Sequence, residues 1–174
     1  MSSLNAIRAA IRDVQDFPTS GILFKDITPV LASAAHYRST IHFLADKIAG
    51  TGATHIAGIE ARGFILAAPV AYKLGLGFIP IRKQGKLPWK TKAASYALEY
   101  GEATVEIHED AIATGQKVAL IDDVLATGGT AAAAVKLLSL CGASPVVAVF
   151  LLELTSLAGR GNLVGTRIET LISY

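Results

Sequence analysis

VALIDDVLATGGT, residues 118–130, runs an apolar segment into two adjacent acids and then into a loop of small residues. Val118 to Ile121 has the continuous apolar character of a strand buried on both faces, which predicts a parallel sheet. Asp122 and Asp123 then fall at its carboxyl end, where open α/β sheets bind ligands. Neighbouring carboxylates at a partly buried strand end repel each other and lose hydration, so they persist mainly where cations, hydroxyls or backbone donors compensate. Thr127, Gly128, Gly129 and Thr130 leave backbone N–H groups bare at the start of a helix, and a phosphate fits there without a lysine. Gly128 and Gly129 also tolerate backbone angles that other residues avoid and allow a ligand to come close. The whole run has the outline of a ribose 5-phosphate cradle. An ordinary strand-to-helix turn with aspartate caps explains the acids but not Thr-Gly-Gly-Thr.

Outward from this run, strands and helices alternate. Ala131 to Cys141 continues as a helix ended by Gly142, Pro145 to Leu152 is a continuous apolar strand, and Arg167 to Ser173 is a final strand. Upstream, His55 to Glu60 reads as a strand, Gly63 to Leu74 as a helix stopped by Gly75, and Gly77 to Ile81 as a strand. Tyr96 to His108 reads as two strands joined around Gly101. Leu4, Ile7, Ile11 and Val14 recur at helical spacing, as do Tyr37, Ile41, Leu44 and Ile48, and the segment from Phe17 to Pro29 between these helices reads as irregular. The alternation predicts an α/β fold, with a mostly parallel twisted sheet flanked by helices on both faces.

The chain of 174 residues, 52% hydrophobic and 17% charged, has the means to bury one substantial core, and a single domain over 1–174 is expected. No run of about 18 apolar residues occurs and no basic-then-apolar leader opens the chain, so neither membrane insertion nor export is expected. Cys141 is the single cysteine, which excludes an internal disulfide and fits a packing role in a reducing cytoplasm. A net charge of +2 is too small to point to nucleic acid. The basic charge is instead local: Arg82, Lys83, Lys86, Lys90 and Lys92 lie together with no acid among them. His36, His42, His55 and His108 form neither an i, i+4 pair nor an HExxH motif, so no metal bound directly by the protein is expected.

The signature run resembles the phosphoribosyl-pyrophosphate motif of the type I phosphoribosyltransferases. Further islands extend the likeness over nearly the whole chain and narrow it to the adenine branch: DFPTSGILFKDITPVL (16–31), IAGIEARGFI (56–65), IRKQGKLP (81–88), SYALEYG (95–101) and LLELTSLAGR (151–160). The resemblance implies transfer of the phosphoribosyl group of 5-phospho-α-D-ribose 1-diphosphate (PRPP) to adenine, giving AMP and pyrophosphate for purine salvage. It also implies a small hood at 16–31, a flexible β-hairpin lid at about 83–108, and a cytoplasmic homodimer whose neighbouring subunit helps to complete the site. Magnesium is expected to arrive on PRPP or pyrophosphate, keeping several waters.

Phosphoribosyl transfer needs cations at the leaving group, a holder for the 5-phosphate and a water-poor pocket for a developing oxocarbenium ion. Carried over residue by residue, the family pattern gives the 5-phosphate to Ala126, Thr127, Gly128, Gly129 and Thr130, and the ribose hydroxyls to Asp122 and Asp123. Pyrophosphate falls to Glu60, Ala61, Arg62 and Gly63, with Arg82, Lys83 and Lys86; arginine suits a multidentate phosphate contact. In this family the Glu-Ala-Arg-Gly turn often carries a non-proline cis peptide. Phe24 stacks on one face of the adenine, Val124 packs on the other, and the backbone at Leu23 and Lys25 reads the base edge. Glu99 and Tyr100 belong to the lid, with Glu99 as general acid or base toward the purine imidazole. The catalytic set on this pattern is Glu99, Asp122, Asp123 and Arg62.

Other bases share the ribose-phosphate cradle, so transfer to hypoxanthine, guanine, xanthine or orotate is the nearest alternative. The hood and SYALEYG match the adenine branch, and no histidine of the kind that the orotate branch leads one to expect lies between Lys83 and Tyr100. A PRPP-sensing regulator without catalysis is a different class; it calls for a DNA-binding element, for which residues 1–15 leave no room.

Overall fold

The computed structural model describes residues 1–97 and 101–174, which group into two compact units, Met1–Phe43 and Leu44–Tyr174.

In the first unit, Ser3 caps helix α1 (Leu4–Ala10) by accepting the Ala6 N–H. Ile11 is already extended, and the chain enters a two-stranded antiparallel ribbon of β1 (Arg12–Gln15) and β2 (Leu23–Asp26). Val14 therefore lies in a strand, and the stretch read as irregular contains β2 and the start of a short helix, α2 (Thr28–Ala32). The sequence gives little warning of this because the gain is cross-strand. Arg12 faces Asp26 and Asp13 faces Lys25, with Lys25 Nζ 2.6 Å from the Asp13 carboxylate. Asp26 then accepts both the N–H and the hydroxyl of Thr28, which turns the chain into α2. The next helix, α3 (Ala34–Ile48), has the predicted period.

The second unit is built on β3 (His55–Ile59), α4 (Arg62–Leu74), β4 (Gly77–Lys83), β5 (Thr91–Ala97), β6 (Glu102–His108), β7 (Lys117–Leu125), α5 (Gly129–Leu140), β8 (Ser144–Glu153) and β9 (Ile168–Ser173). Among the described residues its sheet has seven strands in the order β5-β6-β4-β3-β7-β8-β9. The five from β4 to β9 are parallel, and β6 and β5 join antiparallel at one edge. Strand alternation sends Ala57, Ile59, Val118, Leu120, Ala148 and Phe150 into a core shared with Ala134, Leu137 and Leu138 of α5. The opposite alternation turns Gly58 toward Ala67 of α4, so helices cover both faces. Cys141 is buried at the end of α5. No helix among the described residues is long and apolar enough to cross a membrane.

Two consequences of this order position the site. From β3 the chain crosses through α4 to β4 on one side, and from β7 it crosses through α5 to β8 on the other. The carboxyl ends of β3 and β7 are therefore the point where the winding reverses, which is where such sheets open a crevice. In addition, β3 pairs with β7 only as far as Gly58 with Ile121, whereas β8 continues alongside β7 through Asp122, Val124 and Leu125. The two acids thus lie within β7 rather than past its end, held on one flank and open on the other.

Candidate active site

At the end of β3, the peptide between Glu60 and Ala61 is cis, and Arg62 and Gly63 begin α4. Gly63 is required by proximity: a Cβ there would stand 2.8 Å from Asp122 Oδ1 and 3.0 Å from the Ile121 carbonyl oxygen. The lack of a side chain lets the first turn of α4 settle on β7, and this brings Arg62 to Asp123. Arg62 Nε donates to Asp123 Oδ2 in an ion pair whose acid is almost wholly buried and whose guanidinium is half-exposed.

Asp122 is half-buried, and its Oδ1 accepts the Asp123 N–H at 2.9 Å. Burial pushes its carboxyl well above the ordinary aspartate range, and the adjacent Asp123 charge adds to the effect; the Asp123 N–H and Arg62 oppose it. The pair is therefore asymmetric. Asp123 has a cation of its own, whereas Asp122 gains most from positive charge or a hydroxyl donor brought in from outside.

Glu60 organises the basic segment. Its Oε2 accepts from Arg82 Nε and from the Lys83 N–H, both at 3.1 Å, and Arg82 Nη1 donates to the Lys86 carbonyl at 2.9 Å. Burial works to raise the Glu60 carboxyl, but the hydrogen bonds from Arg82 and Lys83 and their charges outweigh it and hold it below the usual range. Glu106 was not singled out in the sequence, yet its buried carboxylate accepts the Gly85 N–H at 2.9 Å and ties down the same turn. Its signal was faint: one acid facing Arg82 across an antiparallel pair that periodicity does not specify.

After β7, Ala126 and Thr127 lead to Gly128, which adopts φ +83° as the N-cap of α5, while Gly129 and Thr130 are already helical. Only Gly128 of the two glycines thus uses the left-handed conformation. Ala132 N–H is the first of the helix to bond back, to the Gly128 carbonyl at 2.9 Å. The first-turn donors of α5 have no acidic side chain among them, which leaves the positive end of the helix available to an anion. The far end of β5 runs close by, with Tyr96 in van der Waals reach of a Cβ on Gly129.

The structure brings together the Glu60, Ala61, Arg62 and Gly63 turn and the acids of β7, with Arg82 and the Lys83 N–H bonded to Glu60 and the Lys86 carbonyl bonded to Arg82. A family model described as a phosphoribosyl transferase domain matches residues 25–160. The chain belongs to this family.

Within it, the adenine phosphoribosyltransferase of Parafrankia sp. (strain EAN1pec) is 58% identical over 161 residues, covering 92% of this chain and 88% of the relative. The crystal structure of adenine phosphoribosyltransferase from Thermoanaerobacter pseudethanolicus superposes with a TM-score of 0.97 at 48% identity, covering 99% of this chain and 100% of that one. The Saccharomyces cerevisiae enzyme, complexed with D-2,5-dideoxy-2,5-imino-altritol 1,6-bisphosphate and adenine, gives a TM-score of 0.91 at 35% identity over 97% of both chains.

The remaining family residues take these places. Val124 is half-buried on β7 beside Leu152 of β8. In the first unit, Leu23, Phe24 and Lys25 lie on β2; the Phe24 ring meets Phe17 edge-on with centroids 5.1 Å apart, and the Lys25 ammonium is engaged with Asp13. Glu99 and Tyr100 lie outside the described residues. The two strands expected around Gly101 are β5 and β6, which pair antiparallel, with β5 starting at Thr91 rather than Tyr96.

Proposed function

We propose that the chain transfers the phosphoribosyl group of PRPP to adenine, forming AMP and pyrophosphate with inversion at the anomeric carbon. The observation that carries this is the meeting, at the reversal point of the sheet, of paired acids, an arginine-bearing turn and an anion-ready helix start; its base preference is supported by the adenine phosphoribosyltransferases that match nearly end to end.

In this proposal the backbone of Ala126, Thr127, Gly128, Gly129 and Thr130 holds the 5-phosphate, and Asp122 and Asp123 take the ribose hydroxyls. Asp122 then stabilises the positive charge that builds at the anomeric carbon, because burial and the adjacent Asp123 charge leave its carboxylate poorly compensated. Arg62, Arg82, Lys83 and Lys86 neutralise the departing pyrophosphate. Glu60 serves by aiming Arg82, and Ala61 and Gly63 by shaping the turn. Leu23, Phe24, Lys25 and Val124 select adenine, and Glu99, with Tyr100 beside it on the lid, exchanges the purine proton. One phosphoribosyltransferase domain over the whole chain, a cytoplasmic location and a homodimer complete the proposal.

Magnesium fits this donor set as a companion of the substrate. Among the described residues no group of three or more His, Cys, Asp or Glu could hold a metal, and one of the two acids here is paired with Arg62. An ion that takes most of its ligands from phosphate oxygens and water suits such a site, with Asp122 and Asp123 nearest. When bound it supplies charge neutralisation at the pyrophosphate.

The test is incubation of the protein with labelled adenine, PRPP and magnesium. Formation of AMP is expected, with kcat/KM for adenine above that for hypoxanthine or guanine. Faster turnover of either oxopurine would overturn the choice of base.

A further inference from the structure

LLELTSLAGR carries part of the family likeness but has no role in the chemistry assigned above, and it leads into a short 3-10 turn, Gly159–Asn162, that reaches the phosphate loop. Three observations connect the two. First, Asn162 Nδ2 donates to the Thr127 carbonyl at 2.7 Å. Second, Gly159 and Gly128 meet backbone to backbone: a Cβ on Gly128 would collide with the Gly159 carbonyl oxygen, and one on Gly159 would collide with the Ala126 carbonyl oxygen. Third, the turn is anchored. Arg160 donates through Nε and Nη2 to the two carboxylate oxygens of Glu153 at 2.8 and 2.7 Å, and Thr170 Oγ1 donates to the same carboxylate at 3.2 Å.

Glu153 is almost fully buried at the end of β8, directly opposite Leu125, the last residue of β7 before the loop. The Arg160 hydrogen bonds hold its carboxyl below the usual range despite that burial. A charged fork therefore fixes the turn to the strand beside the loop, and the turn in turn fixes the loop.

We propose that Asn162 is a positioning residue for donor binding. The Thr127 carbonyl and the Gly128 N–H share one planar peptide, so holding the oxygen fixes the direction of that N–H. A loop that offers backbone donors to a phosphate loses affinity when its peptide planes are free to rotate, because the ordering must then occur on binding. The inference rests on the assignment of residues 126–130 to the 5-phosphate.

The experiment measures binding of ribose 5-phosphate and of pyrophosphate to the full chain by calorimetry, with melting temperature alongside. Asn162→Leu keeps the volume and removes the donor, Asn162→Gln restores a donor, and Gly128→Ala, which disturbs the backbone at φ +83°, probes the loop itself. Asn162→Leu should raise the Kd for ribose 5-phosphate about tenfold, the loss of one hydrogen bond of ordinary net worth. Its pyrophosphate Kd should stay within about twofold and its melting temperature near that of the parent, with partial recovery in Asn162→Gln. If Gly128→Ala weakens ribose 5-phosphate binding and Asn162→Leu does not, the positioning role is wrong and the loop assignment stands. If neither variant weakens it, both are wrong. Equal weakening toward ribose 5-phosphate and pyrophosphate, or a large fall in melting temperature, would reduce Asn162 to a structural part.

Discussion

Arg62 Nε donates to the buried Asp123 carboxylate across the seam between the start of α4 and the end of β7. The pair joins two sequence motifs 61 residues apart and sets the geometry of both. It also leaves the neighbouring Asp122 without a full counter-charge, which is the electrostatic feature on which the proposed chemistry turns.

Arg62→Ala strips the guanidinium from Asp123, whose side chain is 6% exposed. Breaking a fully buried pair costs about 3–5 kcal/mol, and the half-exposed guanidinium brings the expectation down to about 1–3 kcal/mol. Urea denaturation should show that loss, and the KM for PRPP should rise at least tenfold. A variant with parental stability and KM would place the interaction outside both folding and function.

Asp122→Asn separates activity from stability. The folded-state pKa is raised, so the ionised carboxylate is disfavoured in the native protein. The resulting stability cost is absent below the ordinary aspartate pKa, grows as pH rises through the interval up to the raised value, and is constant above it. The variant should therefore melt higher than the parent at pH 8, by about 2–4 °C for each kcal/mol relieved, and the difference should shrink as pH falls toward about 4. Its kcat should drop by about two orders of magnitude, since the lost charge acts in the transition state. Thermal scans across pH, with turnover at each point, test both halves.

Gly128→Ala and Gly129→Ala form a discriminating pair. The first needs a side chain at φ +83° and in collision with the Gly159 carbonyl, at about 1–2 kcal/mol for the backbone alone. The second places its Cβ 3.4 Å from the Tyr96 ring in helical backbone. Affinity for ribose 5-phosphate should collapse for Gly128→Ala and change by less than about tenfold for Gly129→Ala. Equal losses would mean that Gly128 is not selected for its conformation.

Glu60→Gln tests whether this acid binds by aiming cations. It removes the charge that orients Arg82 and the Lys83 N–H. A charge-assisted hydrogen bond is worth about 1.5–3 kcal/mol, so the KM for PRPP should rise about tenfold or more, with the KM for adenine nearly unchanged. A fall in the KM for PRPP would instead mean that the carboxylate mainly repels the donor.

Glu99→Gln should lower kcat and flatten the pH profile while substrate affinities hold. Parental rates across pH would remove Glu99 from the proton transfer.

Much of the fold was legible because its elements are local. The period of α3, the apolar run of β8 and the stop at Gly75 are each set by neighbours in the chain, and the alternation of strand and helix points to the parallel sheet. The ribbon of β1 and β2 is not legible in the sequence because its stabilising pairs, Arg12 with Asp26 and Asp13 with Lys25, exist only once the strands meet. The length of β7 is not legible for a similar reason: β8 supports it beyond Ile121, past the point where β3 lets go.

The candidate site divides in the same way. The amino-acid order alone determined that a strand ends in two acids and a small-residue helix start, since these are properties of contiguous residues and their backbone preferences. Which acid would carry the arginine, how Glu60 gathers the basic segment, and the support that Gly159 and Asn162 give the loop were decided by tertiary structure alone. Each depends on the desolvation and proximity of groups far apart in the chain, and those quantities come into being only when the sheet closes around them.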